Sequence, residues 1–243
     1  MNTIKIFQWN TLADTLSDAF PLINKEFLQW NHRSQLIAQF IKHYSSDIYC
    51  FEEVDHPEFF EQVLQDHLFI YQKKQHNNDG ILIAYRKNLK LQSVNIIPFL
   101  ENNKVSNQFF IKVDFLDFVL IVTHLKAKTD FEKIRRNQLE QINKQLKEDK
   151  IILCGDFNTQ PQLEAVSNFI EISGMKCTNI TVPTTSKNRG KLETNIKDYI
   201  FYKGVHLKQS QVGPTDGVEI NENGLPSQQF PSDHIFLIGE FDI

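Results

Sequence analysis

Short apolar runs of strand length recur along this 243-residue chain, and they constrain its fold more than any other feature. Runs rich in Ile, Val, Phe and Tyr, bounded by polar or turn residues, predict β-strands. They cover residues 4–9, 47–54, 81–86, 109–115, 118–125, 151–157, 199–202 and 235–241. Polar side chains stand at or just past the ends of these runs. Because a strand end is held by a rigid sheet yet reaches solvent, we predict the functional site there.

Helical periodicity appears between some of these runs but not between all of them. Apolar residues at helical spacing predict three amphipathic helices, within residues 36–44, 134–146 and 164–172. Two of the strand runs are joined only by Leu116 and Asp117, a connection of hairpin length. A simple doubly wound sheet, in which a helix follows each strand, is therefore disfavoured.

The fold class predicted from this mixture is α/β (α+β), as a four-layer sandwich of two packed mixed β-sheets flanked by helices. No Gly/Ser-rich or Pro-rich linker, repeat or low-complexity tract interrupts the sequence, so residues 1–243 are predicted to form a single domain. Two polar, turn-rich stretches, residues 178–197 and 211–231, are predicted as loops around the site.

Composition excludes several classes of function. The net charge of −4 and the pI near 6.1 argue against nucleic-acid binding through a positive overall charge, so any contact with nucleic acid is predicted to be local. No apolar run approaches the roughly 20 residues that span a bilayer, and no signal-peptide pattern is visible, so no membrane partner is predicted.

Cys50, Cys154 and Cys177 give neither a disulfide framework nor a zinc motif. These features predict a reducing compartment, the cytoplasm, with the mitochondrion as the alternative if a presequence has been removed.

The segment CGDFNT at residues 154–159 is the most informative local motif. Asp156 and Asn158 lie two residues apart at the end of a predicted buried strand, so their side chains point to the same side. Burying a carboxylate together with an amide is costly unless something binds them. A hard cation with a phosphate group would satisfy both side chains. The polar groups at the other strand ends make this interpretation stronger.

Seven strings of residues, in this order, resemble the endonuclease/exonuclease/phosphatase superfamily, the relatives of deoxyribonuclease I. They are QWNTL at 8–12, FEEVDH at 51–56, NDG at 78–80, THLKAK at 123–128, GDFN at 155–158, DYIFY at 198–202 and PSDH at 231–234. Several of them resemble the deadenylase-like branch, which holds carbon-catabolite-repression deadenylases, nocturnin and Angel proteins. The resemblance implies a deoxyribonuclease I-like sandwich and covers nearly the whole chain.

The resemblance implies a metal site and a set of catalytic side chains. Glu53 would ligate Mg²⁺, with Asn10 nearby and Asp233 completing the carboxylates. One or two ions are compatible with the motifs, and Mn²⁺ is an alternative ion. Catalytic roles fall on residues that orient water, hold the scissile phosphate, donate to its oxygens or transfer protons: Asp156, Asn158, His234, Asp198 and His124.

The resemblance also implies substrate-binding residues, for which solvated surface charge is the alternative interpretation. These residues are Lys126, Arg135, Arg189, Lys187, Asp79 and Gly80. Phe230 could offer its ring to a base or pack in the core. Glu52 departs from the family pattern, which more often has Gln there; we predict an exposed side chain that adds negative charge near the metal site.

The function predicted from these residues is that of a Mg²⁺-dependent phosphodiesterase. The leading hypothesis is a 3′-5′ exoribonuclease acting on single-stranded RNA, with poly(A) among the candidate substrates. A nocturnin-like phosphatase that removes the 2′-phosphate of NADP(H) is the alternative, because both activities use the same phosphate and metal groups. A catalytically silent subunit of a larger assembly is the third hypothesis. Protein partners are not predicted.

Overall fold

The structure is a computed structural model that describes residues 2–188 and 190–243. Its first six-stranded sheet contains, in chain order, β1 (Thr3–Asn10), β2 (Ile48–Val54), β3 (His67–Lys73), β4 (Gly80–Arg86), β13 (His206–Val212) and β14 (Leu237–Asp242). These strands pair in the order β13-β14-β1-β2-β4-β3. β1 and β2 run parallel, whereas the other neighbours are antiparallel.

The second six-stranded sheet contains β5 (Leu91–Glu101), β6 (Lys104–Phe115), β7 (Val119–His124), β8 (Ile151–Asp156), β9 (Lys176–Cys177) and β12 (Asp198–Lys203). They pair in the order β5-β6-β7-β8-β12-β9, with β7 and β8 parallel and the other neighbours antiparallel. A separate two-stranded hairpin is formed by β10 (Thr185–Asn188) and β11 (Leu192–Asn195).

Helices cover the outer face of each sheet. The α-helices are α1 (Lys25–Leu28), α2 (Trp30–His43), α3 (Pro57–Val63), α4 (Glu132–Asn143) and α5 (Glu164–Ser173), and 3₁₀ helices span Asp14–Ala19 and Thr129–Phe131. Apolar residues of α2 and α3 pack on the first sheet, and those of α4 and α5 pack on the second. The predicted four-layer sandwich and the three predicted helices are confirmed.

The inner faces of the two sheets form a shared apolar interior. Ile6 and Ile48 of the first sheet and Leu120 and Ile152 of the second are fully buried in it. Burying such a side chain contributes about 1.5–3 kcal/mol, so this interior determines which strand faces point inward. Cys50 and Cys154 are buried and free in the same interior, as predicted.

The apolar runs correspond to central strands, whereas the strands that the sequence analysis missed lie at the margins. β3, β5, β9 and β13 are the edge strands of the two sheets. Edge strands carry many exposed side chains, so their apolar pattern is weak. The predicted loop at residues 178–197 is also corrected, because it contains the β10–β11 hairpin, whose residues are largely polar.

Within the described residues, no helix has the length and apolar character needed to cross a membrane.

Candidate active site

The site is formed where the ends of the central strands meet. His124 of β7, Asp156 of β8 and Asp198 of β12 lie in register across the second sheet. Asn10 ends β1, and Glu53 lies near the end of the neighbouring parallel strand β2. Packing of the two sheets brings these ends together, as the polar strand ends predicted.

The backbone departs from regular strand geometry at this edge. Leu12, Glu53 and Asn158 have φ angles of 59°, 56° and 53°, which are left-handed values uncommon for residues other than glycine. The pairing of β2 with β4 is irregular between Phe51 and Val54. Glu53 therefore turns towards the site while its neighbour points inward. Such strain costs on the order of 1–3 kcal/mol per residue and clusters at functional sites.

Two carboxylates face each other across Asn10. The Asn10 Nδ2 amide donates to Glu53 Oε1 and to Asp156 Oδ2, both at 3.1 Å. The Asn10 Oδ1 atom accepts from the Leu12 amide at 3.1 Å, which holds the side chain in this orientation. Ligand atoms of Glu53, His124 and Asp156 lie within 4.8 Å of one another. Convergent carboxylate oxygens fit Mg²⁺, which takes oxygen ligands and retains several waters.

Asp198 orients His234. The His234 Nδ1 atom lies 3.0 Å from Asp198 Oδ2, and the same carboxylate oxygen accepts from Thr184 Oγ1 at 2.7 Å. The His234 Nε2 atom thus faces Asp156, at 3.7 Å from its Oδ2. Burial alone would lower the pKa of His234, but Asp198 and Asp156 raise it to about 9.

Asp156 is held as a carboxylate. Burial acts to raise its pKa, yet the neighbouring His234, His124 and Lys197 lower the pKa of Asp156 to about 2. Asn158 adds two further contacts, because its backbone amide donates to Asp156 Oδ1 at 2.8 Å and its Nδ2 donates to Asp156 Oδ2 at 3.2 Å. Asp156 therefore stays ionised and can orient a water across the pH range of ordinary assays.

Lys74 sets the tautomer of His124, and the sequence analysis missed this lysine. Its Nζ atom lies 2.5 Å from Asp79 Oδ2 and 3.2 Å from His124 Nδ1. Burial, followed by Lys74, lowers the pKa of His124. Neutral His124 therefore accepts at Nδ1 and carries its proton at Nε2, which points to Glu53 and Asp156. The signal for Lys74 in the sequence was its place five residues before Asp79.

Asp233 and Lys187 pair with each other. Lys187 Nζ lies 2.6 Å from Asp233 Oδ2. Both side chains lie beside the site, with Asp233 Oδ2 3.8 Å from His234 Nε2. Asp233 is paired with Lys187 and is not part of the group of ligand atoms of Glu53, His124 and Asp156, and its metal role stays a prediction.

Two other predicted substrate-binding residues lie at the loop that follows β7 and on helix α4. Lys126 Nζ sits 5.2 Å from the centre of the Phe131 ring. Arg135 is 1% exposed, and its guanidinium donates to the carbonyls of Lys126 at 2.9 Å and Thr129 at 3.1 Å. It holds the loop that follows β7, and its contact with a substrate stays a prediction. The prediction for Arg189 falls outside the described residues.

Gly80 has a packing role in the sheet, and the close approach of its backbone to a substrate stays a prediction. A Cβ at Gly80 would collide with the carbonyl oxygen of Gln72 on β3. A glycine at this position lets β4 and β3 approach closely, and the preceding Asp79 is thereby placed against Lys74.

The predicted exposure of Glu52 is wrong. Its side chain is completely buried, and Oε2 accepts from Gln8 Nε2 at 2.8 Å. Burial first, and nearby carboxylates including Asp198, raise the pKa of Glu52 well above its ordinary value. The raised pKa disfavours the expected extra negative charge. Phe230, for which two roles were open, lies in the core between Trp9 and Phe40.

Comparison with known proteins agrees with this geometry. The sequence profile of the Endonuclease/Exonuclease/phosphatase family matches residues 7–234. The chain is 32% identical to human Nocturnin over 281 residues, covering 98% of this chain and 65% of that protein. It is 26% identical over 196 residues to the protein of Saccharomyces cerevisiae (strain ATCC 204508 / S288c) named "Probable RNA exonuclease NGL3", covering 65% of this chain and 38% of that protein. The chain thus spans less than two thirds of the length of these relatives.

Solved structures show the same fold. The human Nocturnin catalytic domain with a bound sulfate anion matches with a TM-score of 0.77 and 25% identity, over 99% of this chain and 94% of that one. ANGEL2, a 2′,3′-cyclic phosphatase, in complex with adenosine-2′,3′-vanadate, matches with a TM-score of 0.83 and 18% identity, over 98% of this chain and 95% of that one. The chain belongs to the endonuclease/exonuclease/phosphatase family.

Proposed function

We propose that the protein is a Mg²⁺-dependent 3′-5′ exoribonuclease that hydrolyses single-stranded RNA by in-line attack of water. The observation that carries this proposal is the convergence of Asp156, His124 and the His234–Asp198 pair beside the Glu53–Asn10 pair. A water nucleophile needs a base or an orienting carboxylate, and the phosphate needs donors where charge develops.

Each side chain has a part that its geometry supports. Asp156 orients the attacking water, and Asn158 keeps Asp156 in position. His124 donates from Nε2 to a non-bridging phosphate oxygen, because Lys74 occupies its Nδ1. His234, protonated near neutral pH, stabilises negative charge on the phosphate.

The metal would be held by Glu53 and Asp156, with Asn10 fixing the two carboxylates. When bound, Mg²⁺ supplies positive charge that neutralises the phosphate and stabilises the leaving oxygen. The number of ions, and Mn²⁺ as a substitute, belong to this proposal.

RNA as the substrate is supported by the resemblance to the deadenylase-like branch and by the name of the yeast relative. Because the overall net charge is −4, RNA would be bound through local positive charges. Lys74 and Lys187 lie in or beside the site, and Lys126 follows His124 by two residues; all three could meet backbone phosphates.

A second candidate is a nocturnin-like phosphatase that removes the 2′-phosphate of NADP(H). The observation that favours it is that human Nocturnin matches 98% of the chain, whereas the yeast relative matches 65%. A silent subunit is disfavoured because Asn10, Glu53, Asp156 and His234 are all present and mutually arranged.

The test is a time course on a 5′-labelled RNA that ends in a run of adenosines, with Mg²⁺ and then with EDTA. Glu53→Gln is the variant, and Glu61→Gln on the exposed face of α3 is the matched control. A ladder that shortens from the 3′ end, lost in EDTA and in Glu53→Gln only, supports the exoribonuclease. Intact RNA together with phosphate release from NADPH would replace it with the second candidate.

A further inference from the structure

Lys197 is a cationic residue at the active site. It belongs to none of the sequence motifs and has no role in the proposed catalytic mechanism. It directly precedes Asp198 at the start of β12. Its backbone amide donates to Thr184 Oγ1 at 2.9 Å, and its carbonyl accepts from the Phe157 amide at 2.8 Å. These two bonds fix the base of the side chain between the strand end that carries Asp156 and the loop that supports Asp198.

The charged groups that act on the Lys197 ammonium all belong to the site. They are Lys187, Asp156, Asp233 and Asp198. Burial first, and then Lys187, lower the pKa of Lys197, while the carboxylates oppose this effect. In return, the Lys197 ammonium contributes to the low pKa of Asp156. The half-buried side chain of Lys197 therefore starts between the elements that carry Asp156 and Asp198, and its charge acts on both carboxylates.

Lys197 differs from the other lysines of the site in its bonding. Lys74 lies 2.5 Å from Asp79, and Lys187 lies 2.6 Å from Asp233, so each already has a carboxylate partner. Throughout residues 2–188 and 190–243, by contrast, no carboxylate oxygen lies within 4.0 Å of Lys197 Nζ, and its ammonium makes no hydrogen bond there. A poorly hydrated ammonium without such a partner is costly unless an anion binds it.

We propose that Lys197 is a further substrate-binding residue, whose ammonium donates to a non-bridging oxygen of the phosphate group held in the active site. This inference rests on the proposed phosphoester chemistry but not on the choice between RNA and NADP(H). Because an ammonium acts as a point charge, its contribution grows with the charge of the anion. Lys197 therefore favours a dianionic phosphate monoester over a monoanionic diester.

The test measures binding of inorganic phosphate to the full chain in EDTA by isothermal titration calorimetry. The variants are Lys197→Met, which keeps the length of the side chain without its charge, and Lys197→Arg, which keeps the charge. Lys176→Met on β9, an exposed position outside the site, is the matched control. Circular dichroism and the imidazole proton signals of His234 report whether the fold and the site are intact.

We expect Lys197→Met to weaken phosphate binding by about tenfold to a hundredfold, the range for losing a hydrogen bond to a charged group. Lys197→Arg should bind within about threefold of the parent protein, and Lys176→Met should be unchanged. In turnover, Lys197→Met should lose more kcat/KM on a 2′-phosphomonoester than on an RNA diester.

Equal phosphate affinity in the parent protein and in Lys197→Met, with the site intact, would overturn this inference and leave the proposed function standing. A parent protein that binds no phosphate and hydrolyses neither RNA nor NADPH would overturn both.

Discussion

The buried carboxyl of Glu52 makes a sharp prediction about stability. The side chain is fully buried with one hydrogen bond, from Gln8 Nε2 to its Oε2, and its Oε1 has no partner among the described residues. An ionised carboxylate in this position would lie near Asp198 and Asp156. Glu52→Gln keeps the shape of the side chain, removes the titration and supplies amide donors that a carboxylate lacks.

The magnitude follows from linkage between proton binding and folding. In the unfolded chain the Glu52 carboxyl titrates near a pKa of about 4.3. Between that pH and the higher folded-state pKa, the folded protein keeps a proton that the unfolded chain releases. The parent protein therefore loses about 1.4 kcal/mol of unfolding free energy for each unit of rising pH, and Glu52→Gln does not. The advantage of the variant should grow at that rate until the folded-state pKa is reached.

Urea unfolding of the parent protein and Glu52→Gln, between about pH 5 and about pH 8, measures this difference. Other titrating groups cancel in the difference, and Glu61→Gln, at an exposed position, controls for loss of a surface charge. We expect Glu52→Gln to retain metal-dependent hydrolysis. A stability difference that does not change with pH would refute the conclusion that burial keeps Glu52 protonated.

Three further predictions follow from the site and its supports. Protonated His234 contributes stability in full below about pH 6.5, and this contribution is lost as the pH rises through its folded-state pKa of about 9. Asp198→Asn should lower the pKa of His234, which NMR titration of the imidazole measures. At Gly155, φ is +144° and a Cβ would overlap the Thr123 carbonyl, so Gly155→Ala should lower the free energy of unfolding by more than about 3 kcal/mol. Gly174→Ala, where the Cβ meets open space, should lower it by about 1 kcal/mol, and thermal unfolding measures both variants. Arg135→Met removes the donors to three loop carbonyls, so it should lower stability by about 3–5 kcal/mol in urea and raise KM more than it lowers kcat.

The central strands could be predicted from the sequence because both sheets bury at least one face of each. Residues 151–154 are apolar throughout, since β8 lies between β7 and β12 under helices. The edge strands were missed for the same physical reason, because β5 and β13 expose much of their surface and need no apolar pattern.

The site residues at strand ends could also be predicted, whereas their pairings could not. Asp156 and Glu53 follow directly from the strand pattern and the motifs. The bonds that set their neighbours' roles join residues far apart along the chain, such as Lys74 with His124 and Arg135 with the loop after β7. Periodicity carries no information about such contacts.

The sequence by itself determined the strands, the helices and the set of groups available for phosphate chemistry, because these depend on local pattern and residue type. Only the tertiary structure decided which of those groups are charged. The pKa of Glu52 is raised and the pKa of His124 is lowered because burial removes water from both side chains. Burial, and the neighbours that oppose or reinforce it, exist only once the two sheets have packed.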